Sequence, residues 1–581
     1  VPRPAWRTRT IAANHGCRRP SQFVFVAVES QERKREKQRT YQEDVFKRGA
    51  YCAVDWRRGR RERVEQGKFD SPTDFWQCLS LLCRANGVVW VVAAGAQRTF
   101  TLLGLWSLLD NGSFRPSRLA IDGIPWQVEV NGDAGRVNFT DVQNYGDCPE
   151  ALRGVLADRV SRTKERYLSL LHQWEDCNNG NWQFSTASLA WNHWRHRHYS
   201  TPIVQHQHAA ARQLEWDSYY PGECRAFYRG STGNPVGHYD VNSLFPSVME
   251  GNQYPVELID YVKAPSPKTF ARITNRYGAI AHVQLKADTD TFPIRRDKRT
   301  LYPVGDFETV LAGAELARAC ATGAIRECEA LAYYRTGRIF DSYVGEWYAK
   351  RKAAAISHDD KASQFAKMML NSLYGKFAQR TPAWEIEPKC EVVQPWTTFP
   401  WKDSVTGTVH PARAVGWTAQ VARLRRDCAH TFPAVAAFVT AAARERMRTL
   451  RSMLPPGSVL YQDTDSIFVD TASTNVHACL QSEIGDGLGQ LRHVATYQRC
   501  EFRGQKNYTC DGRHVISGVK PGDIEIAPLL FAGAREEGAG PIVSREPDGA
   551  IRSWPSEYYL PGTCHEGGYS EDGWYFPIEL A

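Results

Sequence analysis

Two aspartates one residue apart, Asp463 and Asp465, stand in the stretch YQDTDSIFV between two apolar runs. Carboxylates that close repel each other, so the pattern asks for a cation. SVLYQ and IFV read as two strands of a hairpin with DTDS at its tip. A third carboxylate, Asp240, ends the β run of VGHYDVNSLFPSVM, sharing a face with Val236 and His238, and Pro246 suits the start of the helix that follows. A carboxylate at a strand end can hold a metal while neighbouring backbone groups meet a phosphate. In KMMLNSLYGKF, helical spacing puts Lys367, Asn371 and Tyr374 on one exposed stripe and Leu370, Leu373 and Phe377 on an apolar one beside it. A cation, an amide and an aromatic ring on one face suit a ligand with phosphates and a flat base. Alone, each stretch also reads as a turn, a cap or surface decoration. Together they supply what divalent-metal phosphoryl transfer needs: carboxylates bridging two ions ~3.5–4 Å apart and a cation for a polyphosphate. Mg²⁺ is the expected ion, with Mn²⁺ as the alternative. There is no G-x-x-x-x-G-K-[ST] loop, kinase signature set or H-E-x-x-H.

The elements that must position these residues follow from periodicity. QFVFVAVE (22–29) and NGVVWVVAAGA (86–96) read as buried strands, and between them PTDFWQCLSLLCRANG has the helical spacing of Phe75, Leu79, Leu82 and Cys83. Strands alternating with helices predict an α/β domain over roughly the first 180 residues. DRVSRTKERYLSLLHQWED follows as a long amphipathic helix, then a polar CNNGNWQ break and a further helical run, STASLAWNHWRHRH. Residues 305–380 read as mostly helical, and the last fifty, rich in Gly, Pro, Tyr and Trp, as an irregular closing segment.

With 581 residues, 42% hydrophobic and 23% charged, the chain is long enough for several domains built on real cores. Its net charge of +8 is a modest excess, compatible with a polyanionic partner. The arginine-rich runs QERKREKQRTYQ and DWRRGRRERVEQ read equally well as solvated surface. Fifteen cysteines without a C-x-x-C pair argue against a zinc module or a disulfide framework, and reduced thiols fit an intracellular protein. No membrane span and no secretion signal are read.

DVNSLFPS, KMMLNSLYG and YQDTDS, in that order, resemble motifs A, B and C of family B DNA polymerases, nearest the organellar, viral and protein-primed phage branch. The resemblance covers roughly 180–520. It implies that Asp240 and Asp465 are metal ligands with Asp463 beside them and Val241 lending its carbonyl. It further implies that Lys367 holds nucleotide phosphates and that Asn371 and Tyr374 border the nascent base pair. Phe245 stands where the family usually has a Tyr that blocks a ribose 2′-OH, so deoxynucleotide preference is expected. Lys506 and Tyr508 of KNYT look like the branch's K-x-Y element, a primer-strand contact. YYPGEC looks like its Y-x-G-G template element, with Tyr220 and Gly222 in place and Glu223 where the second Gly belongs.

Such polymerases usually begin with a proofreading exonuclease. FVFVAVES keeps Glu29 but has Ala27 where an Asp-x-Glu pair would start, and VVAAGAQRTFTLL offers Ala94, Gly95 and Thr99 at the second motif. The third motif, a Tyr-x-x-x-Asp, is not found in LRGVLADRVSRTKERY. Losing these carboxylates removes the charge that would hold metal ions, so the domain is expected to fold without proofreading. Ser188 and Leu189 of FSTASLAW resemble the branch's single-strand-binding segment.

The expected architecture is α/β and multidomain, a ribonuclease H-like exonuclease domain followed by a right-hand polymerase. The boundaries are 1–180 for the exonuclease-like domain, 181–310 for a linker and the first part of the palm, and 311–382 for the fingers. Residues 383–500 are the second part of the palm and 501–581 the thumb and C-terminal segment. The histidines at 193, 196, 198, 206 and 208, without Cys partners or fixed ligand spacing, read as a basic DNA-facing surface rather than a metal centre. Arg351 and Lys352 are candidates to line the phosphate path. The expected partners are a DNA primer-template, dNTPs and, as one of several priming modes, a terminal protein. Two other classes are weighed against a polymerase. A silent DNA-binding relative has no reason to spare Asp240, Asp463, Asp465 and Lys367, and a primase or RNA polymerase is disfavoured by Phe245.

Overall fold

The computed structural model describes residues 6–33, 41–56, 63–132, 135–176, 178–297, 299–472, 475–520, 522–527, 530–542, 544–545, 547–559 and 567–580. The cores of the two arginine-rich runs, 34–40 and 57–62, lie outside the described residues.

Strand Gln22–Glu32 organises the N-terminal domain. Its first seven residues are all buried because both of its faces are covered. Phe23, Phe25 and Ala27 pack toward helix Leu156–Asp176, while Val24, Val26 and Val28 face the cluster that includes Phe75 and Leu79 of helix Pro72–Asn86. Around it the strands run in the order Arg63–Phe69, Gln42–Asp55, Gln22–Glu32, Val88–Ala93, Gly135–Asp141. The last three are mutually parallel and the first two antiparallel to their neighbours, the arrangement of a ribonuclease H-like sheet.

The C-terminal segment returns to this sheet. Leu530–Glu536 pairs with Ala550–Tyr559, which pairs in turn with Gln42–Asp55. The irregular closing segment expected from composition is therefore largely strand. Edge pairing with a distant partner organises it, and local composition does not report that.

The second domain is built on a five-stranded antiparallel sheet ordered Cys224–Ala226, Val459–Asp463, Ser466–Asp470, Val236–Val241, Leu491–Tyr497. The strand ending near Asp240 thus lies directly beside the hairpin bearing Asp463 and Asp465. Helix Pro433–Ser452 is buried along most of its length and contributes Val435, Val439 and Met447 to the same core.

The mostly helical reading of 305–380 holds for helices Gly313–Thr322, Asp341–Ile356 and Asp360–Ser372 but missed two strands. Val304–Ala312 and Ile325–Gly337 are strands of a seven-stranded sheet, flanking Gly278–Ala287. Burial alternates at Cys328, Ala330, Ala332 and Tyr334, a period of two. The last two helices, Asp341–Ile356 and Asp360–Ser372, form a pair joined by a three-residue turn in which His358 has a φ of 56°. A small antiparallel sheet, Trp384–Ile386 to Thr418–Ala422, docks on the N-terminal domain. There Arg413 forks onto Asp122 at 2.9 and 2.7 Å, and Trp396 Nε1 donates to Asp110 at 2.7 Å. Among the described residues no helix is long and apolar enough to cross a membrane.

Candidate active site

Asp463 and Ser466 face each other across the hairpin, leaving Thr464 and Asp465 as a two-residue connection. Thr464 takes a φ of 59°, the strain that lets so short a turn close. The turn is held from two sides. The Asp465 carbonyl accepts from Val241 N at 2.8 Å, tying the tip to the Asp240 strand, and Thr464 N donates to the Glu223 carbonyl at 2.8 Å. Gly222 lies against the same threonine: a Cβ there would come within 2.7 Å of Thr464 Cγ2.

Asp240 and Asp465 converge. Burial raises both carboxyls above their ordinary range, and the charge of Asp240 helps push Asp465 up to about 6. A buried carboxylate whose proton affinity a neighbouring carboxylate raises is short of positive charge. Lys367 lowers both, Arg351 and Arg492 lower Asp240, and none of the three closes an ion pair with either. Hard carboxylate oxygens half-buried beside a free strand end are a donor set that fits Mg²⁺. The charge of Asp463 also raises Asp465, while its own carboxylate accepts from Lys506 Nζ at 3.1 Å.

Of the expected stripe, Lys367 and Asn371 lie on helix Asp360–Ser372, and Tyr374 opens the 3₁₀ turn Tyr374–Ala378 that follows it. Lys367 and Asn371 are exposed, Tyr374 is half-buried, and Leu370, Leu373 and Phe377 are in the core. The Lys367 ammonium makes no hydrogen bond among the described residues and is free for a ligand. The Tyr374 ring stacks on Phe245 with centroids 4.9 Å apart, so the first and second motifs share one aromatic shelf. Because the two helices fold back on each other, Arg351 comes to Ser243, to which its guanidinium donates, and lies beside Asp240. Lys352 is exposed. Arg492 was not anticipated. It is the cross-strand neighbour of Asp240, a relation fixed by sheet register alone.

The K-x-Y element packs onto the hairpin. Lys506 N donates to the Tyr461 hydroxyl at 2.7 Å, and the Tyr508 ring lies 5.0 Å from Tyr461 and 5.2 Å from Phe468.

Three expectations of direct DNA contact are corrected by burial. Tyr220 is 3% exposed, its hydroxyl meets Thr309 and its ring lies under Arg295 and Arg444, so it braces the core. Leu189 is fully buried, leaving Ser188, which accepts from Lys376 Nζ at 2.9 Å, as the accessible residue of that pair. Three of the five histidines, His193, His198 and His206, are buried and form no DNA-facing surface. Glu223, where a glycine was expected, is fully buried in a cage of Arg225 and Arg451. Burial would raise its carboxyl, but those arginines hold it far below the usual range.

In the N-terminal domain Ala27, Ala94 and Thr99 are buried, and Thr99 donates to the Ala94 carbonyl. Gly95, at a φ of 65°, starts helix Ala96–Leu102. Glu29 is paired with Arg48 at 2.7 Å, and Arg159, which donates to the Val28 carbonyl, adds a second positive charge beside it. Asp141 accepts from the backbone of Ala96 and Gln143 at 2.7 and 2.9 Å.

Residues 169–387 match the sequence model of the organellar and viral type B DNA polymerases. A DNA-directed DNA polymerase of Enterobacteria phage PRD1 is 27% identical over 165 residues, 28% of each chain. A probable DNA polymerase of Ascobolus immersus is 24% identical over 303 residues, half of this chain and 24% of its own. The chain thus spans about a quarter of the length of these relatives. Phi29 DNA polymerase complexed with primer-template DNA shares the fold, with a TM-score of 0.64 at 14% identity, over 93% of this chain and 100% of that one. The likeness read from the three motifs is therefore borne out, by the family model over 169–387 and by the shared fold.

Proposed function

We propose that this relative of the organellar and viral type B DNA polymerases is itself a template-directed DNA polymerase, adding deoxynucleotides to a primer 3′-OH. The observation that carries the reading is the convergence of Asp240 and Asp465 beside Lys367 and Arg351. Asp240 and Asp465, with the Val241 carbonyl, would hold Mg²⁺ or Mn²⁺. Such ions, when bound, acidify the attacking hydroxyl and offset the charge of the leaving pyrophosphate. Lys367, exposed and unpaired, grips the nucleotide's phosphates, and Arg351 and Arg492 add to the positive field there. Phe245 lies where a 2′-OH would be crowded, and Tyr374 and Asn371 border the base pair. Lys506 meets the primer strand, which presents its hydroxyl whether it belongs to a nucleic acid or to a terminal protein.

The N-terminal domain is read as a fold without proofreading. Its remaining acid, Glu29, faces arginines where a metal site would need further carboxylates. Extension of a 5′-labelled primer with Mg²⁺ and dNTPs, beside a lane without dNTPs, tests both statements. Extension without 3′ degradation is expected. Degradation that persists in Asp465→Asn would show a working exonuclease, and DNA binding without extension would leave a polymerase fold kept for binding alone.

A smaller effect isolates the primer contact. Lys506→Ala should flatten the salt dependence of primer-template binding by about one unit of log–log slope, the loss of one phosphate contact. The Lys506–Asp463 pair is half exposed, so folding stability should change by less than about 1 kcal/mol. An unchanged salt slope would remove Lys506 from the DNA path.

A further inference from the structure

Helix Thr186–His193 does not simply end; it continues into a π-helical turn, Trp194–His198. In α-helical winding, residues five apart diverge by about 140° around the axis. The wider turn instead brings His193 and His198 together, with their Nε2 atoms 3.2 Å apart. Such π turns recur at functional sites. Glu346, from helix Asp341–Ile356, completes the group: Oε2 lies 3.1 Å from His198 Nε2 and Oε1 3.7 Å from His193 Nε2.

With Glu346 Oε2 as the third ligand atom, the 3.2 and 3.1 Å separations are close to two edges of a coordination shell. A tetrahedral ion bound at 2.0–2.1 Å spaces its ligand atoms about 3.3–3.4 Å apart. The outer contacts match as well. His198 Nδ1 lies 2.9 Å from Ser342 Oγ, and Lys350 Nζ, which rests on the Trp347 ring, lies 2.6 Å from Glu346 Oε1. Metal-bound imidazoles and carboxylates are oriented by such second contacts. Both histidines are buried among Trp174, Tyr343 and Trp347, and Glu346 is 21% exposed.

Hydrogen bonds alone leave this trio poorly satisfied. If His198 Nε2 gives its hydrogen to Glu346, the His193 Nε2 lone pair competes for the same proton. If both Nε2 atoms carry hydrogen, two N–H groups collide at 3.2 Å. His193 Nδ1 has no partner among the described residues, so Nε2 is that ring's one polar contact. A cation at the centre satisfies all three acceptors at once.

We propose that His193, His198 and Glu346 bind a divalent transition-metal ion of the Zn²⁺ class, with water completing its shell. The ion staples the segment after the N-terminal domain to the base of the helix pair that carries Lys367. Imidazole with one carboxylate selects this class over Mg²⁺. The site is separate from the Asp240–Asp465 pair and does not depend on the reading of that pair.

Metal-stripped Asp240→Asn/Asp465→Asn protein, which lacks the paired active-site carboxylates, is titrated with Co²⁺. One equivalent should bind with the visible absorption of tetrahedral Co²⁺, be displaced by Zn²⁺ and raise the melting temperature. In that background Glu346→Gln should weaken binding at least roughly 100-fold, and Ser342→Ala by about tenfold. Folded protein that shows no such absorption would overturn the site, as would a titration unchanged by Glu346→Gln. Should Glu346→Gln fail to fold, the titration of the parent protein still decides.

Discussion

Asp465→Asn is expected to abolish primer extension, by roughly 10³-fold or more, the loss of about 4 kcal/mol of transition-state stabilisation. In the metal-free protein the same change should make the fold more stable. A carboxyl raised from an ordinary value near 3.8 to about 6 costs about 3 kcal/mol to keep ionised. Between pH 4 and 6 the folded protein then holds a proton that the unfolded chain has released. Wild-type stability therefore falls as pH rises through that window. The variant lacks this fall, so the two should match near pH 4 and separate by pH 7. Mg²⁺ should stabilise the wild type and narrow the gap. Urea unfolding at the two pH values with and without Mg²⁺ measures it. A variant less stable than wild type at pH 7 would mean that Asp465 is an ordinary structural carboxylate.

Glu223→Gly, which installs the glycine of the resembled template element, should be among the most damaging single changes. The Glu223 carboxylate is fully buried and accepts from Arg225 Nε at 3.0 Å and from Arg451 at 3.1 Å. Removing it strands buried guanidinium charge, which costs about 3–5 kcal/mol. Asp290 still faces Arg225, and Gln462 faces Arg451, which places the effect toward the lower end. Glu223→Gln should lose less because it keeps the volume. Since the Glu223 carboxyl is held below its ordinary range, its contribution is fully present above about pH 5 and lost as pH falls further. A Glu223→Gly protein within about 1 kcal/mol of wild type at pH 7 would show that the cage is not stabilising. The backbone carbonyl of residue 223 also receives Thr464 N, so extension should fall along with stability.

Much of the candidate site was legible in the sequence because its parts are local. DTDS between apolar runs is a hairpin tip whatever surrounds it, and Lys367 and Asn371 share a helix face by helical geometry alone. Relations across the sheet were not legible. Arg492 lies 252 positions from Asp240 and becomes its neighbour only through strand register. Glu223 read as decay of a motif, because sequence does not show that two arginines enclose it. Tyr220 and Leu189 fit their motifs by type, while the core that buries them is assembled from distant segments.

By itself, the sequence determined the residue types and short-range periods: three motifs in order, the continuous apolar run of Gln22–Glu32, and the absence of an aspartate at position 27. Only the tertiary structure decided which charges meet. It pairs Asp463 with Lys506, leaves Asp240 and Asp465 short of cations, turns Arg48 onto Glu29 and gathers His193, His198 and Glu346. The reason is physical: periodicity along a chain selects faces within one element, whereas a charge's partner is set by burial and register between elements far apart in sequence.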